Sequence, residues 1–395
     1  MTLKKAAVLI LAGLFIINLN IYGSSAGKKV KNIILMVPDG TPLSTIAAAR
    51  IYAYGPGKER LHLETLDQIG YQSTHSRNSI ITDSAAAASA WACGQKFNNG
   101  EISFHRETKE APKTILELAK EMGKSTGLAA TSTITHATPA AFGSHVFSRK
   151  CEKTIAQQLI MTGVDVLLGG GLANFKSTEE QKDICGTWGD FITKAEENNY
   201  KVVYNREEML NAGNEKKLLG LFCPGALPPV YKREAVDPEN RIPALPEMTC
   251  TALSILEQND NGFFLLVEGS QVDWANHQNN LIYQIGEMLE FDRAVKVVLD
   301  WVEAKQTRRE ETLIIVVPDH GCGGFAIKGP YGKIFDKPGE YVEDGWVSKL
   351  HTGEDTMLWS QGPYSEHLGK AIDNTDIFHI MKAAISGDTY KRPSS

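Results

Sequence analysis

Positive charge is scarce in this 395-residue chain: 41 Lys and Arg stand against 47 Asp and Glu, a formal net charge of −6 at pH 7. A chain so balanced lacks the basic footprint that neutralises a nucleic-acid backbone, which excludes a nucleic-acid-binding surface. Any anion it binds must be held by local cationic side chains or by metal ions. Long apolar runs are equally scarce: apart from Ala6 to about Ile21, no stretch is suited to span a membrane. Six cysteines occur without Cys-x-x-Cys spacing, so a clustered thiolate metal site is excluded. Internal repeats are absent, and the only low-complexity tract is an Ala-rich one after Ser84. What remains, 42% hydrophobic and 22% charged, is enough for one large α/β core or two smaller domains.

The exceptional apolar run lies in "MTLKKAAVLILAGLFIINLNIYGSSAGKK", behind Lys4 and Lys5 and ahead of small residues. It reads as a cleavable leader over residues 1–26, giving a secreted or periplasmic protein with no membrane anchor after cleavage. An uncleaved anchor is the alternative, disfavoured by the small-residue "SSA". Cleavage removes two lysines and no acid, taking the charge from −6 to −8. An exported chain can form disulfides, and proximity in sequence pairs Cys151 with Cys185 and Cys223 with Cys250. Cys93 reads as a small buried thiol.

Five apolar runs read as strands: "NIILMV" (32–37), "GLAAT" (127–131), "VDVLLGGG" (164–171), "GFFLLVEG" (262–269) and "TLIIVVPDH" (312–320). Unbroken apolar runs suit strands covered on both faces. Helical spacing recurs between them, notably at 111–124 and 279–304. The expected fold is α/β: a doubly wound, mostly parallel central sheet flanked by helices. Residues 27–395 then form a single domain with insertions at about 172–250 and 325–350 near the active-site face, the second suited to covering a site.

Ligands of such sheets bind beyond the carboxyl ends of the strands. There the chain supplies Asp39, then Glu268, Asp273 and His277, then Asp319 and His320, with His351 before a further apolar run. Singly these are weak signals, since an Asp before Gly40 is a common turn former. Converging at one edge, they would repel one another without cations. Oxygen and imidazole donors suit zinc, with magnesium at an all-oxygen position. Asp273 and His277 are four residues apart, so one helical turn puts them on one face. "THATPAAFGSHVFSRK" (135–150) adds His136 and Thr138 as donors and Arg149, whose planar fork matches a tetrahedral anion. A solvated Arg149 beside Lys150 is the plainer alternative, and His145 reads as structural. In "ITDSAAAASAWACG" (81–94), Ser84 falls at the start of a helix, either as its N-cap or as a nucleophile facing an anion at the positive end of the dipole.

Together, "VPDG", "TDSAAAASAWACG", "THATPAAFGSHVFSRK", "VEGSQVDWANH", "VPDHG" and "HTG" resemble, in order and context, the secreted, metal-dependent alkaline phosphatases, over nearly the whole mature chain. The resemblance implies hydrolysis of phosphate monoesters to alcohol and inorganic phosphate through a phosphoserine at Ser84. It implies one zinc on Asp273, His277 and His351, and a second on Asp39, Asp319 and His320 with Ser84 as exchangeable ligand. A third ion, usually magnesium, would be shared by Asp39, Thr138 and Glu268. Arg149 would grip the phosphate, Asp83 would orient Arg149 or its loop without binding metal, and the protein would be a homodimer.

Two positions depart from the enterobacterial pattern of the family. His136 replaces an aspartate, which would favour zinc or cobalt at the third site, and Trp274 replaces a lysine on the phosphate side. In "DHGCGG", Cys322 stands two residues from His320 where many members carry Glu-Thr; it reads as a buried thiol, with a disulfide or an adventitious ligand as alternatives. Related phosphodiesterases generally lack the third-ion set and the arginine, so Glu268, Thr138 and Arg149 favour monoesters. A sulfatase would need a "CxPxR"-type motif, which is absent. A phosphate-binding protein on a decayed scaffold would have no reason to keep Ser84 with every ligand.

Overall fold

The computed structural model describes residues 29–57, 59–237, 239, 241–332 and 337–392. The leader read over residues 1–26 lies outside them. Strand β1 (Asn32–Pro38) is buried at all seven positions. Ile33, Leu35 and Val37 enter one apolar cluster while Ile34 and Met36 enter another, as the two-residue strand period demands when both faces are covered.

The other strands are β2 (Gln68–Ser73), β3 (Ser125–Thr133), β4 (Val166–Gly170), β5 (Lys201–Val203), β6 (Leu218–Leu221), β7 (Phe263–Gly269), β8 (Thr312–Val316), β9 (Gly321–Cys322), β10 (Ala326–Gly329), β11 (Glu343–Gly345), β12 (His351–Thr352), β13 (Thr356–Gln361) and β14 (Ala371–Asp373). Ten of them form one sheet in the order β14-β2-β13-β8-β1-β7-β3-β4-β6-β5. Strand β13 runs antiparallel to β2 and β8, and the other pairs are parallel. All five apolar runs read from the sequence become strands of this sheet. The stretch 172–250 contributes β5 and β6 to its edge, and 325–350 carries the separate ribbon β10–β11.

Helices Ser84–Cys93, Ile115–Glu121, Ala137–Gly143, Glu152–Thr162 and Asn374–Ser386 bury their apolar residues in the cluster on one face. Helices Leu43–Tyr54, Leu245–Leu256 and Leu281–Glu303 do so on the other. Every position of Ser84–Cys93 is buried, which only a run as small as "SAAAASA" permits at such close packing. Among the described residues no helix is long and apolar enough to cross a membrane.

Cys151 and Cys185 form a disulfide, as proximity suggested. The proposed Cys223–Cys250 pair is wrong: both thiols are free. Cys223 packs against the core that receives Leu245, Met248 and Ala252, whereas Cys250, on the same helix as those three, is exposed. Cys93 is free and buried.

Candidate active site

Strands β8, β1, β7 and β3 are consecutive and parallel, so their carboxyl ends open along one edge. Asp39 follows β1, Asp319 and His320 follow β8, and Glu268 sits in β7 opposite Val37. Asp273 and His277 lie on helix Gln271–His277 immediately after β7, and His136 and Thr138 come just after β3.

The turn after β1 is held tightly. Gly40 has φ +62, and a Cβ there would lie 2.4 Å from Asp273 Oδ1. Its N–H donates to Asp319 Oδ1 (2.9 Å), and its carbonyl accepts from Asn276 Nδ2 (2.8 Å). Gln284 in turn donates to Asn276 Oδ1 (2.6 Å) and Thr45 Oγ1 (2.8 Å).

Three groups of donor atoms result, each with its members within 4.8 Å of one another: Asp273, His277, His351 and Cys322; Asp39, Asp319 and His320; Asp39, His136 and Glu268. Asp39 belongs to two of them. Both of its oxygens are buried without a partner, as are Glu268 Oε1, Asp273 Oδ1, Asp319 Oδ2 and Thr138 Oγ1. Burial without hydrogen bonds is costly for carboxylates, and cations on those oxygens remove the cost. The rings of His277 and His351 are oriented for the same purpose. His277 Nδ1 donates to the Lys349 carbonyl (2.6 Å) and His351 Nδ1 to the Thr82 carbonyl (3.0 Å). Each Nε2 is thereby turned toward Asp273, 3.2 and 3.5 Å respectively from its carboxylate oxygens, where an ion would take it in place of a proton. The donors fit two nitrogen-and-oxygen sites and one rich in oxygen.

Electrostatics carry the same mark. Burial, then the Asp319, Asp273 and Glu268 charges, raise the Asp39 carboxyl well above its usual range. Burial pushes Glu268 to about 7 against the lowering effect of the nearby Thr138 hydroxyl and the Ser270 hydrogen bond. Burial would also raise Asp273, but the His277 hydrogen bond and the His320 and His351 rings hold it well below normal. His277, bonded to Asp273, rises to about 9. A protein that gathers so many carboxylates needs cations at the same place.

Ser84 is the first residue of its helix and is 2% exposed. Its Oγ lies 3.2 Å from His320 Nε2. The N-cap is Asp83, not Ser84: Asp83 Oδ1 accepts from Ala86 N (3.0 Å), which frees the serine hydroxyl. Asp83 Oδ2 accepts from Arg149 Nη1 (3.0 Å), and both its oxygens accept from Gly100 N (3.1 Å). Asp83 belongs to none of the three donor groups. Arg149 Nη2 meets His136 Nε2 at 3.1 Å, and burial followed by that guanidinium pushes the imidazole down to about 3. A neutral ring accepting at Nε2 carries its proton on Nδ1, so His136 ligates an ion only by releasing Arg149 or that proton. Trp274 meets His136 edge-on, centroids 5.8 Å apart.

His145 is structural, bonded to the Ser103 carbonyl (2.6 Å) and Glu117 (3.2 Å). Cys322 is fully buried, and its Sγ donates to the Asp273 carbonyl at 3.7 Å. The orienting carbonyls of Lys349 and Thr82, and the braces Asn276 and Ser270, were not foreseen: main-chain acceptors leave no trace in residue type. Asn276 alone had a local signal, lying within "VDWANH".

Comparison with known proteins agrees. The family model described as alkaline phosphatase matches residues 30–339. Alkaline phosphatase 3 of Bacillus subtilis (strain 168) is 34% identical over 90% of this chain and 89% of its own length. The structure of alkaline phosphatase from the Antarctic bacterium TAB5 superposes with a TM-score of 0.78 at 29% identity, covering 91% of this chain and 98% of that one. A variant of that enzyme with Mg bound in its M3 site gives 0.77 at 29% identity, covering 91% and 99%. With the parallel sheet, the clustered donors and the match along most of its length, the chain belongs to the alkaline phosphatases, metal-binding hydrolases of phosphate monoesters.

Proposed function

We propose that the chain hydrolyses phosphate monoesters by two displacements, with Ser84 carrying the phosphoryl group between them. The observation behind this reading is Ser84 Oγ, buried at a helix start 3.2 Å from His320 Nε2, a ring grouped with the unpartnered carboxylate oxygens of Asp39 and Asp319. Asp273, His277 and His351 would hold one zinc ion; Asp39, Asp319 and His320 would hold the second, beside Ser84. Asp39, Thr138 and Glu268 would hold magnesium, or zinc or cobalt if His136 turns from Arg149 to join them. When bound, such ions acidify hydroxyl groups and neutralise charge on phosphoryl and departing oxygens.

Ser84 Oγ bonds to phosphorus as the ester P–O bond breaks, and the alcohol leaves with a proton. Water then adds to phosphorus, the Ser84 Oγ–P bond breaks, and inorganic phosphate and the serine hydroxyl are restored. Arg149, held by Asp83, presents two N–H groups to two phosphoryl oxygens. Trp274 adds no charge, so the cationic side-chain contact rests on Arg149.

Two further readings concern the whole protein. Export after loss of residues 1–26, to the periplasm or the medium, is supported by the Cys151–Cys185 disulfide. The homodimer follows from the family resemblance, and sedimentation of the purified protein tests it.

The test of the reaction uses an aryl phosphate monoester and the matching diester, before and after prolonged chelation and after zinc and magnesium are restored. The expected result is strong preference for the monoester, loss on chelation and recovery on reloading. Equal turnover of the diester, or activity that survives chelation, contradicts the reading, and binding of phosphate without turnover makes the protein a receptor.

A further inference from the structure

In the short pair β9–β12, Cys322 lies directly opposite His351. Directly opposed residues of an antiparallel pair project to the same side. Cys322 Sγ is thereby brought to within 4.8 Å of the donor atoms of Asp273, His277 and His351. A second contact fixes it there, since Sγ meets the Asp273 carbonyl at 3.7 Å. Asp273 Oδ1, on a residue only 5% exposed, is buried without a partner in the same group. Cys322 itself is fully buried and free of any disulfide. Gly323 helps fix the approach: a Cβ there would lie 2.8 Å from Trp346 and 3.0 Å from the Asn276 carbonyl.

We propose that Cys322 is a fourth protein ligand, through its thiolate sulfur, of a soft divalent ion bound by Asp273, His277 and His351. The inference rests on the reading that this trio holds a metal ion. On binding, the S–H proton leaves to solvent and the sulfur lone pair forms the bond to the ion, with no change of oxidation state. One thiolate among two imidazoles and a carboxylate biases the site toward zinc, cobalt or cadmium and against magnesium. Asp273, His277, His351 and Cys322 together would supply an ion with four protein donors, one more than the trio alone.

Cobalt(II) tests this without recourse to activity. Full-length metal-free protein is titrated with Co2+, and the visible ligand-field bands, bound cobalt by elemental analysis and near-ultraviolet absorption are followed together. The same titration is run on Cys322→Ser and Cys322→Thr, whose folding is checked by circular dichroism. The proposal predicts sulfur-to-cobalt charge-transfer absorption in the native protein and its loss in both variants. It also predicts that cobalt affinity falls in the variants by about 10-fold or more, at least the loss typical of removing an outer-shell partner. Ligand-field bands and bound cobalt without charge transfer in the native protein overturn the thiolate ligand while leaving the metal trio intact. Charge transfer that persists in Cys322→Ser overturns it too, by assigning the sulfur elsewhere. Absence of bound cobalt removes the metal trio and the proposal together.

Discussion

Asp83 and Arg149 form an ion pair at 3.0 Å, and the same Asp83 carboxylate caps the Ser84 helix through Ala86 N at 3.0 Å. One side chain therefore ties the start of the Ser84 helix to the guanidinium that would receive phosphate. Asp83→Ala should cost about 1 kcal/mol from the lost cap and raise KM for a monoester several-fold as Arg149 is released. Asp83→Asn keeps a cap but not the charge, so it should melt like the native protein and still show the raised KM. Thermal melts and steady-state kinetics on both variants separate the two roles. Equal KM values across the three proteins would mean that Asp83 does nothing for Arg149.

Arg149→Lys keeps a positive charge and loses the planar fork. The lost charge-assisted hydrogen bond is worth about 1.5–3 kcal/mol, so kcat/KM should fall by about 10- to 100-fold and inhibition by inorganic phosphate should weaken alongside. A lysine variant with native phosphate inhibition would place the phosphate away from this side chain.

Gly40→Ala adds a Cβ 2.4 Å from Asp273 Oδ1 at a backbone with φ +62. The left-handed backbone alone costs about 1–2 kcal/mol, and the clash must displace the Asp273 carboxylate. The expected outcome is a lowered melting temperature together with reduced bound zinc. A variant that melts lower with full metal content would show that Asp273 moves aside without leaving its ion.

Glu287 gives the protein a pH dependence away from the active site. It is 3% exposed, and burial followed by the Glu290 charge pushes its carboxyl up from 4.5 to about 8. Arg233 is engaged with Glu290 at 2.6 and 2.9 Å, leaving Glu287 a donor in Val230 N at 2.7 Å. Between those pH values the folded state keeps a proton that the unfolded state has lost, so stability falls as pH rises from about 4.5 through about 8. Glu287→Gln keeps an oxygen for Val230 N and has no proton to lose. Its melting temperature relative to the native, metal-loaded protein should rise across that window; parallel profiles would contradict the buried neutral carboxyl.

Much of this architecture is legible in the residues because its central strands are covered on both faces. β1, β3, β4, β7 and β8 are unbroken apolar runs, and the Asp and Glu residues at their ends announce the open edge of the sheet. The edge strands are not. β2 has alternating exposure, and β5 and β14 are three residues long. The reversed direction of β13 has no counterpart in its sequence. Within the site, residue type pointed to Asp39, Ser84 and His320, but not to the carbonyls of Thr82 and Lys349 that set two imidazole tautomers, since those depend on contacts 269 and 72 residues away in sequence. The cap moved from Ser84 to Asp83 because helix starts are fixed by backbone geometry to a residue that composition cannot resolve. Cys223 and Cys250 failed as a pair because nearness along the chain says nothing of which way a helix turns a side chain.

The central claim is that Ser84 carries phosphate. The most direct measurement mixes metal-loaded protein with a monoester bearing labelled phosphorus, quenches in acid and locates the label by peptide mass analysis, with Ser84→Ala beside it. The account predicts a single phosphoryl group on Ser84 in the native protein and none in the variant, which still folds and binds its metals. Label on another residue, or a labelled Ser84→Ala protein, would contradict it.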